Sequence, residues 1–445
     1  MKKHAQEMLL SLWKRRGFLS GARSSEGWTY SYGPLGAELK RNLINDWWNA
    51  VVTTSGNIQG LDTPIVSPSS THKTEGKLNC NHPNVALPDA RELQAPREEP
   101  NKTSTASSRV SEEATASNVL RDCILQGMLQ QRVSVGRSFG MKVPFGIAEV
   151  GRVFKSVQPA VKPIPSLHDE NRGNTIEPYL HRAEQDQAGV VFISSTKEGR
   201  EWYAHWQRNR LRWWKKLAHN PGALILKETS KQDVPLSTLQ CSTIQYNSTW
   251  GPILLETIVN HGECSTGVVT IGNNNTAGQG QASVTQAEGC GGAEPNPQLL
   301  SCVAEVDNGT LALLCDSYTE AKRPYGPGTD LVDSKITRLH RRLAPYKVAV
   351  LPAKENHKLH LYCQMLTDEL RHSGISTVYD SSDTLEQRLV IQDEAGTPYR
   401  VIADESSLET GIVSLQDRDT TASEDMNGQD VLLTLQRMTF GVHVM

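Results

Sequence analysis

The sequence predicts an α+β protein of more than one domain, and three observations carry that reading. A Gly-Pro turn at Gly33 and Pro34 opens an amphipathic helix that reaches Trp48; residues 67–117 change abruptly to Pro, Ser, Thr, Asn, Glu and Lys; residues 343–445 alternate buried-type strands with amphipathic helices. At 445 residues the chain exceeds one ordinary core, so two or three domains are expected. Hydrophobic residues make up 37% and charged residues 21%, the balance of a globular protein diluted by polar insertions. The net charge of −3 excludes a uniformly basic protein, so any contact with phosphate must come from local patches.

Taken in order, Lys2–Arg16 reads as a helix with Met8, Leu9, Leu12 and Trp13 inward. Pro34 fixes φ and Gly33 and Gly36 loosen the backbone, so Tyr32–Gly36 is a tight turn. In the helix behind it Leu39, Leu43 and Trp47, flanked by Ile44, form one apolar stripe, while Lys40 and Arg41 face elsewhere. Val51 to Ile65 reads as a strand pair. The polar stretch that follows cannot bury enough surface to offset its ordering entropy and is expected to be largely disordered. Periodicity returns over Asn118–Gln131, where Leu120, Ile124, Met128 and Leu129 form a stripe read as the exposed apolar face of a helix.

Residues 139–157 resume the core. In Glu198–Leu217, Trp202, Trp206, Trp213 and Leu217 share one helical face, and Arg208, Arg212, Lys215 and Lys216 gather opposite. That basic side is either solvated or tracks a nucleic-acid backbone; Arg210, near the tryptophans, needs a buried carboxylate. Gly272–Gly292 reads as a flexible loop, and Ala312–Tyr318 as helical. A polar connector, Glu320–Asp333, leads to the densest basic cluster, Lys335, Arg338, His340, Arg341, Arg342 and Lys347, for which a solvated linker and phosphate contact both stay open. Beyond it, Lys347–Leu351, Tyr399–Ala403 and Ile412–Gln416 are strands, His357–Ser373 and Thr384–Gln392 helices, and Thr420 or Thr421 is expected to cap a final helix.

Eight cysteines, Cys80, Cys123, Cys241, Cys264, Cys290, Cys302, Cys315 and Cys363, show no paired spacing, which argues for reduced thiols in an intracellular compartment. Cys80 and His82 have no second pair at finger spacing, so no metal is expected. No apolar run reaches the roughly 20 residues of a membrane helix. Phosphate-loop, nucleophile-elbow and zinc-helix motifs are absent, and no catalytic residue or cofactor is expected.

The string Ser31–Trp48, SYGPLGAELKRNLINDWW, resembles the first signature of class II aminoacyl-tRNA synthetases of the glycyl branch. With Lys14, Arg15, Arg16, Gly17, Phe18, Leu19, Ser20 and Gly21 upstream, the resemblance is closer still to the accessory-subunit family of the mitochondrial DNA polymerase gamma, non-catalytic relatives of that branch. Leu61, Asp62, Thr63 and Pro64 match the strand after the signature helix. The long Trp-rich helix is similar in both groups. Leu343–Val350, Gly396–Tyr399 and Asp417–Thr421 together resemble the class IIa anticodon-binding domain.

The resemblance implies a class II synthetase-like core with an antiparallel sheet (residues 1–68 and 135–318), an insertion (69–134), a basic connector (319–342) and an α/β anticodon-binding-like domain with a mixed sheet (343–445). In a synthetase the second signature ends Phe-Arg-Asn-Glu, whose arginine grips the ATP phosphate; this chain has Phe154, Lys155, Ser156 and Val157. Lysine does not replace a planar bidentate guanidinium. In the third signature Asn308 stands where an arginine is expected. A pseudoenzyme is therefore implied, one that binds the polymerase catalytic subunit and duplex DNA without sequence preference. Lys335, Arg338, His340, Arg341, Arg342, Arg208, Arg212, Lys215 and Lys216 are the candidate DNA contacts.

In relatives the insertion forms a helical hairpin that pairs with its copy. Here Val119–Val133 matches the second helix, with Leu120, Ile124 and Met128 as candidate dimer contacts, and the first is reduced to Ala90–Leu93, which leaves homodimer and monomer both open. The implied location is the mitochondrial matrix, with a transit segment lying outside this chain. Two other readings stand beside this one, a divergent glycyl-tRNA synthetase and a free-standing tRNA- or RNA-binding protein.

Overall fold

The computed structural model describes residues 2–24, 27–68, 85–86, 118–154, 184–229, 239–249, 251–263, 297–325 and 330–440. Apart from Val85–Ala86, the stretch 69–117 expected to be disordered lies outside the described residues, as do Ala90–Leu93, the Cys80 and His82 pair, Lys155–Val157 and the Gly272–Gly292 loop.

Helix α1 (Lys2–Arg16) buries Leu9, Leu10, Leu12 and Trp13, with Met8 only half-buried. Gly17 ends it at φ +75°, a left-handed conformation that suits glycine. The hairpin β1 (Leu19–Ser24) and β2 (Gly27–Tyr32) leads to α2 (Pro34–Trp48), with Pro34 in its first turn. Side chains at Gly33 and Gly36 would collide with the carbonyls of Gly17 and Phe18, so this close approach requires the glycines of the turn. Leu39, Leu43 and Trp47 are buried as the periodicity predicts.

Lys40 lies off the stripe as read and is 13% exposed, its Nζ 2.7 Å from Asp186 and 2.9 Å from Asp307. One expectation changes here. The strand expected from Val51 is a π-helical turn, Asn49–Thr53, because buried Val51 extends the Leu43 and Trp47 stripe by one more turn. The extended segments shrink to β3 (Ile58–Gly60) and β4 (Val66–Pro68).

β4 joins β5 (Val85–Ala86) and β6 (Asn118–Leu120) in a small sheet, and α3 follows at Leu125–Ser138. The core sheet comprises β7 (Phe145–Phe154), β8 (Glu184–Ser194), β9 (Leu224–Glu228), β10 (Gln240–Ser248), β11 (Gly251–Glu263) and β12 (Gln298–Glu305), with α4 (Gly199–Leu217) between β8 and β9 and α5 (Val306–Ser317) after β12. Its order is β3-β7-β8-β12-β11-β10-β9, antiparallel except for the parallel β3 and β7 pair.

One face of this sheet, with Ala148, Val190, Phe192, Ile258, Leu300 and Cys302, packs under α2, α4 and α5. The other face buries Val153, Val191, Ile193, Leu299 and Val303 against Ile124, Met128 and Leu129. This corrects the exposed stripe expected over Asn118–Gln131. Leu120 is half-buried in β6, outside any helix, while Ile124 and Met128 are fully buried within the subunit. The described exposed side chains of α3 are Gln130, Gln131, Ser134, Arg137 and Ser138. A side chain at Gly189 would lie 2.7 Å from Ile124 Cδ1, so the strand's small residue makes room for the isoleucine. Ile124→Val is expected to cost about 0.5–1.5 kcal/mol in urea unfolding, the usual range for removing one buried methylene.

The expected polar connector is an antiparallel ribbon, β13 (Tyr318–Arg323) and β14 (Val332–Thr337). It leads to a five-stranded mixed sheet ordered β16-β15-β17-β18-β19. Its strands are β15 (Val348–Pro352), β16 (Thr377–Tyr379), β17 (Tyr399–Ala403), β18 (Ile412–Asp417) and β19 (Ser423–Asn427); its helices are α6 (His357–His372), α7 (Leu385–Ala395), α8 (Ser407–Thr410) and α9 (Gly428–Phe440). Thr384 and Gln387 form a capping box on α7, and Gly396 closes it in the left-handed region. Thr420 and Thr421 lie in the β18–β19 turn instead of capping α9; Asn427 Oδ1 accepts from Gln429 N at 3.0 Å and takes that role. Five described cysteines, Cys123, Cys241, Cys302, Cys315 and Cys363, are free thiols.

Candidate nucleic-acid interface

α4 is amphipathic because its tryptophans recur on one face. Trp206, Trp213, Trp214 and Leu217 are buried, and Trp202 is half-buried. Arg210 lies among them with 0% exposure. Its Nε donates to Glu256 Oε1 at 2.7 Å, Trp214 Nε1 donates to Glu256 Oε2 at 2.7 Å, and the guanidinium lies over the rings of Trp213 and Trp47. The buried carboxylate required by sequence is therefore Glu256, the buried acid of β11, whose second acid, Glu263, is exposed.

On the opposite face Arg208, Arg212, Lys215 and Lys216 are exposed, and none forms an ion pair among the described residues. The C-terminal end of this row meets the segment after β14. Asp46, near the end of α2, accepts from Trp213 Nε1 at 2.9 Å and pairs with Arg342 Nη1 at 3.4 Å, so one carboxylate ties α2, α4 and that segment together. Lys216 lies near enough to act on His340. The two basic stretches, Arg208–Lys216 and Lys335–Lys347, are far apart in sequence and thus converge in the fold.

The structure sorts the basic cluster itself. Arg341 is exposed, and Lys335 is half-buried; neither forms an ion pair among the described residues. Arg338 is bound to Asp419 at 2.9 Å and to Thr319, and Arg342 to Asp46. Lys347 is buried, donates to the carbonyls of Arg342 and Ala344 at 2.7 Å each, and has its pKa lowered to about 8 by burial. Arg338, Arg342 and Lys347 are therefore committed to holding the joint, a division of labour that residue type alone does not reveal.

His340 has its pKa lowered to about 4, first by burial and then by Arg342, Arg341 and Lys216, so it is a neutral ring at neutral pH. Its Nδ1 lies 3.3 Å from Arg342 N as acceptor. The unfolded chain takes up this proton near the ordinary histidine value of about 6.5, before the folded one does. The contribution is complete above that value and is lost as pH falls toward 4; His261, also lowered to about 4 by burial, acts in the same direction. His340→Gln is expected to lose less stability than the parent between pH 7 and pH 4.5, as read from denaturation midpoints.

The two domains are also stapled by Arg15 and Arg16, both on Glu394, and by Asn42 Nδ2 donating to the carbonyls of Leu343 and Ala344. Within the third signature, Asn308 Nδ2 donates to Leu254 O at 3.0 Å. The end of β7 is covered by the β6 segment: Phe154 N donates to Arg121 O, and the Arg121 guanidinium binds Arg152 O, Thr63 and Glu149.

A seven-stranded, mainly antiparallel sheet backed by the signature helices and followed by a small mixed-sheet domain is the plan of a class II aminoacyl-tRNA synthetase. The anticodon binding domain family matches residues 347–438. Over 442 residues the chain is 30% identical to DNA polymerase subunit gamma-2, mitochondrial, of Xenopus laevis, spanning 95% of this chain and 85% of that protein. It is 30% identical over 435 residues to DNA polymerase subunit gamma-2 of Mus musculus, spanning 95% and 88%, and 28% identical over 462 residues to glycine–tRNA ligase of Corynebacterium efficiens, spanning 93% and 94%. The chain belongs to the family of DNA polymerase gamma accessory subunits, subunit gamma-2.

Proposed function

We propose that this chain is the accessory subunit of the mitochondrial replicative DNA polymerase and acts in the mitochondrial matrix. It binds the catalytic subunit and duplex primer–template DNA, slows dissociation and so raises processivity without chemistry of its own. The observation that carries the DNA part is the exposed row Arg208, Arg212, Lys215 and Lys216, continued by Arg341, with no ion pairs among the described residues. Exposed cations that form no ion pairs among the described residues release counterions when phosphates replace solvent, which gives affinity without sequence preference. The C-terminal domain carries the surface for the catalytic subunit, where Leu361 and Met365, one turn apart on α6, are 53% and 60% exposed.

Two features support the absence of adenylate chemistry. Asn308 cannot supply the cation of the third signature and is engaged with Leu254 O. The strand end that would hold the nucleotide is occupied by Arg121 and its partners. Glycine-dependent exchange between ATP and pyrophosphate is expected to be indistinguishable from background; a glycine-dependent signal would restore the synthetase reading.

A further inference from the structure

The exposed face of α4 changes character along its length. Toward its C-terminus it carries the basic row; at its N-terminal end Glu198, Glu201, Trp202, His205 and Arg208, with Pro144 from the segment entering β7, line an open cleft of about 410 Å³. Trp202 is held from beneath by Phe192, with ring centroids 4.6 Å apart, and from the side by His205 at 5.3 Å and 72°. Its Nε1 lies 3.4 Å from Glu198 Oε2. Burial and the neighbouring Arg208 lower the pKa of His205, which favours its uncharged ring. The cleft is thus aromatic and preorganised, and Arg208 belongs both to it and to the row.

Its polar chemistry differs from that of the row. Glu198 and Glu201 repel phosphate but accept N–H donors, as a carboxylate does from an exocyclic base amine. Aromatic rings beside a cationic track are the general means of holding unpaired strands. A lysine or arginine side chain of a protein would also suit two carboxylates and an indole, but Arg208 on the same wall opposes a second cation. From Trp202 to Lys216 the helix rises about 21 Å at 1.5 Å per residue, roughly six base-pair steps of 3.4 Å.

We propose that this cleft takes one unpaired nucleobase bearing an exocyclic amine, packed against Trp202 and His205, while the adjoining phosphates pass onto Arg208 and Arg212. The ligand of the site is then a primer–template junction, with the unpaired template end in the cleft and the duplex along the row. This rests on the reading that the row binds DNA.

The test uses the full chain and two DNAs of equal duplex length, one blunt and one with a 5′ template overhang carrying 2-aminopurine at the first unpaired position. Binding is expected to quench 2-aminopurine fluorescence, and an adenine or cytosine overhang to raise affinity at least about fivefold over blunt duplex, the low end for one stacked base. A thymine overhang, without the amine, is expected to gain less. His205→Ala and the milder Trp202→Phe are expected to reduce quenching and overhang preference while leaving blunt-duplex affinity unchanged. Equal affinity for both DNAs with no quenching would overturn the cleft and leave the row intact; failure to bind either DNA would overturn both. Loss of catalytic-subunit binding in His205→Ala, with DNA binding unchanged, would assign the cleft to a protein side chain and equally overturn the proposal.

Discussion

Reversing Arg212, Lys215, Lys216 and Arg341 to glutamate together is expected to lower affinity for duplex DNA about a thousandfold near 0.15 M salt, and to reduce the slope of log affinity against log salt by about 3.6. The slope follows from a loss of roughly 0.9 per phosphate contact, and the affinity from four lost counterion releases plus new repulsion. Blunt duplex of fixed length, titrated at several salt concentrations, measures both. Removal of Arg338 supplies the contrast. Its guanidinium is bound to Asp419 and Thr319, so Arg338→Ala is expected to weaken the joint to the C-terminal domain and change the salt slope little. An unchanged slope in the fourfold variant would show that the row is only a solvated face.

The second large effect concerns the scaffold under that row. Arg210→Ala is expected to destabilise the protein by about 3–5 kcal/mol, because it strands the Glu256 carboxylate in the core. Trp214 Nε1 would remain its donor, and the rings of Trp47 and Trp213 would face a void where the guanidinium lay. Arg210→Lys is expected to recover little: an ammonium cannot present the flat guanidinium that lies over the two indoles. Arg210→Met combined with Glu256→Gln removes both charges and is expected to recover much of the loss. Urea unfolding of the three variants measures the series. A cost below about 1 kcal/mol for Arg210→Ala would contradict the description of this pair as buried and interdependent.

The helices and the C-terminal domain were legible because their signals are local. The Leu39, Leu43 and Trp47 stripe, the Gly33-Pro34 turn and the helix opening at Thr384 each depend on residues within a turn or two, and each forms as read. The buried partner of Arg210 could be required but not named, because Glu256 is 46 residues away and its meeting with α4 is a product of the sheet. The stripe of Ile124 and Met128 was legible as apolar, but periodicity does not say whether an apolar face meets a second copy or the subunit's own sheet; Val191, Ile193 and Leu299 decided that.

The basic cluster fails for a related reason. Arg338, Arg341 and Arg342 look alike in sequence, yet Asp419 and Asp46, far away in the chain, claim two of them and leave one exposed. Gly33, Gly36 and Gly189 each mark a close approach that only tertiary structure explains.

A synthetase-like scaffold that serves a polymerase must act in primer extension, measured with the mitochondrial polymerase catalytic subunit on a long primed template at moderate salt, under single-binding conditions, with and without this protein. Longer products per binding event, with the gain lost in the fourfold charge reversal, are the expected result. Product lengths and salt tolerance unchanged by the wild-type chain, at concentrations where it binds duplex DNA, would contradict the account.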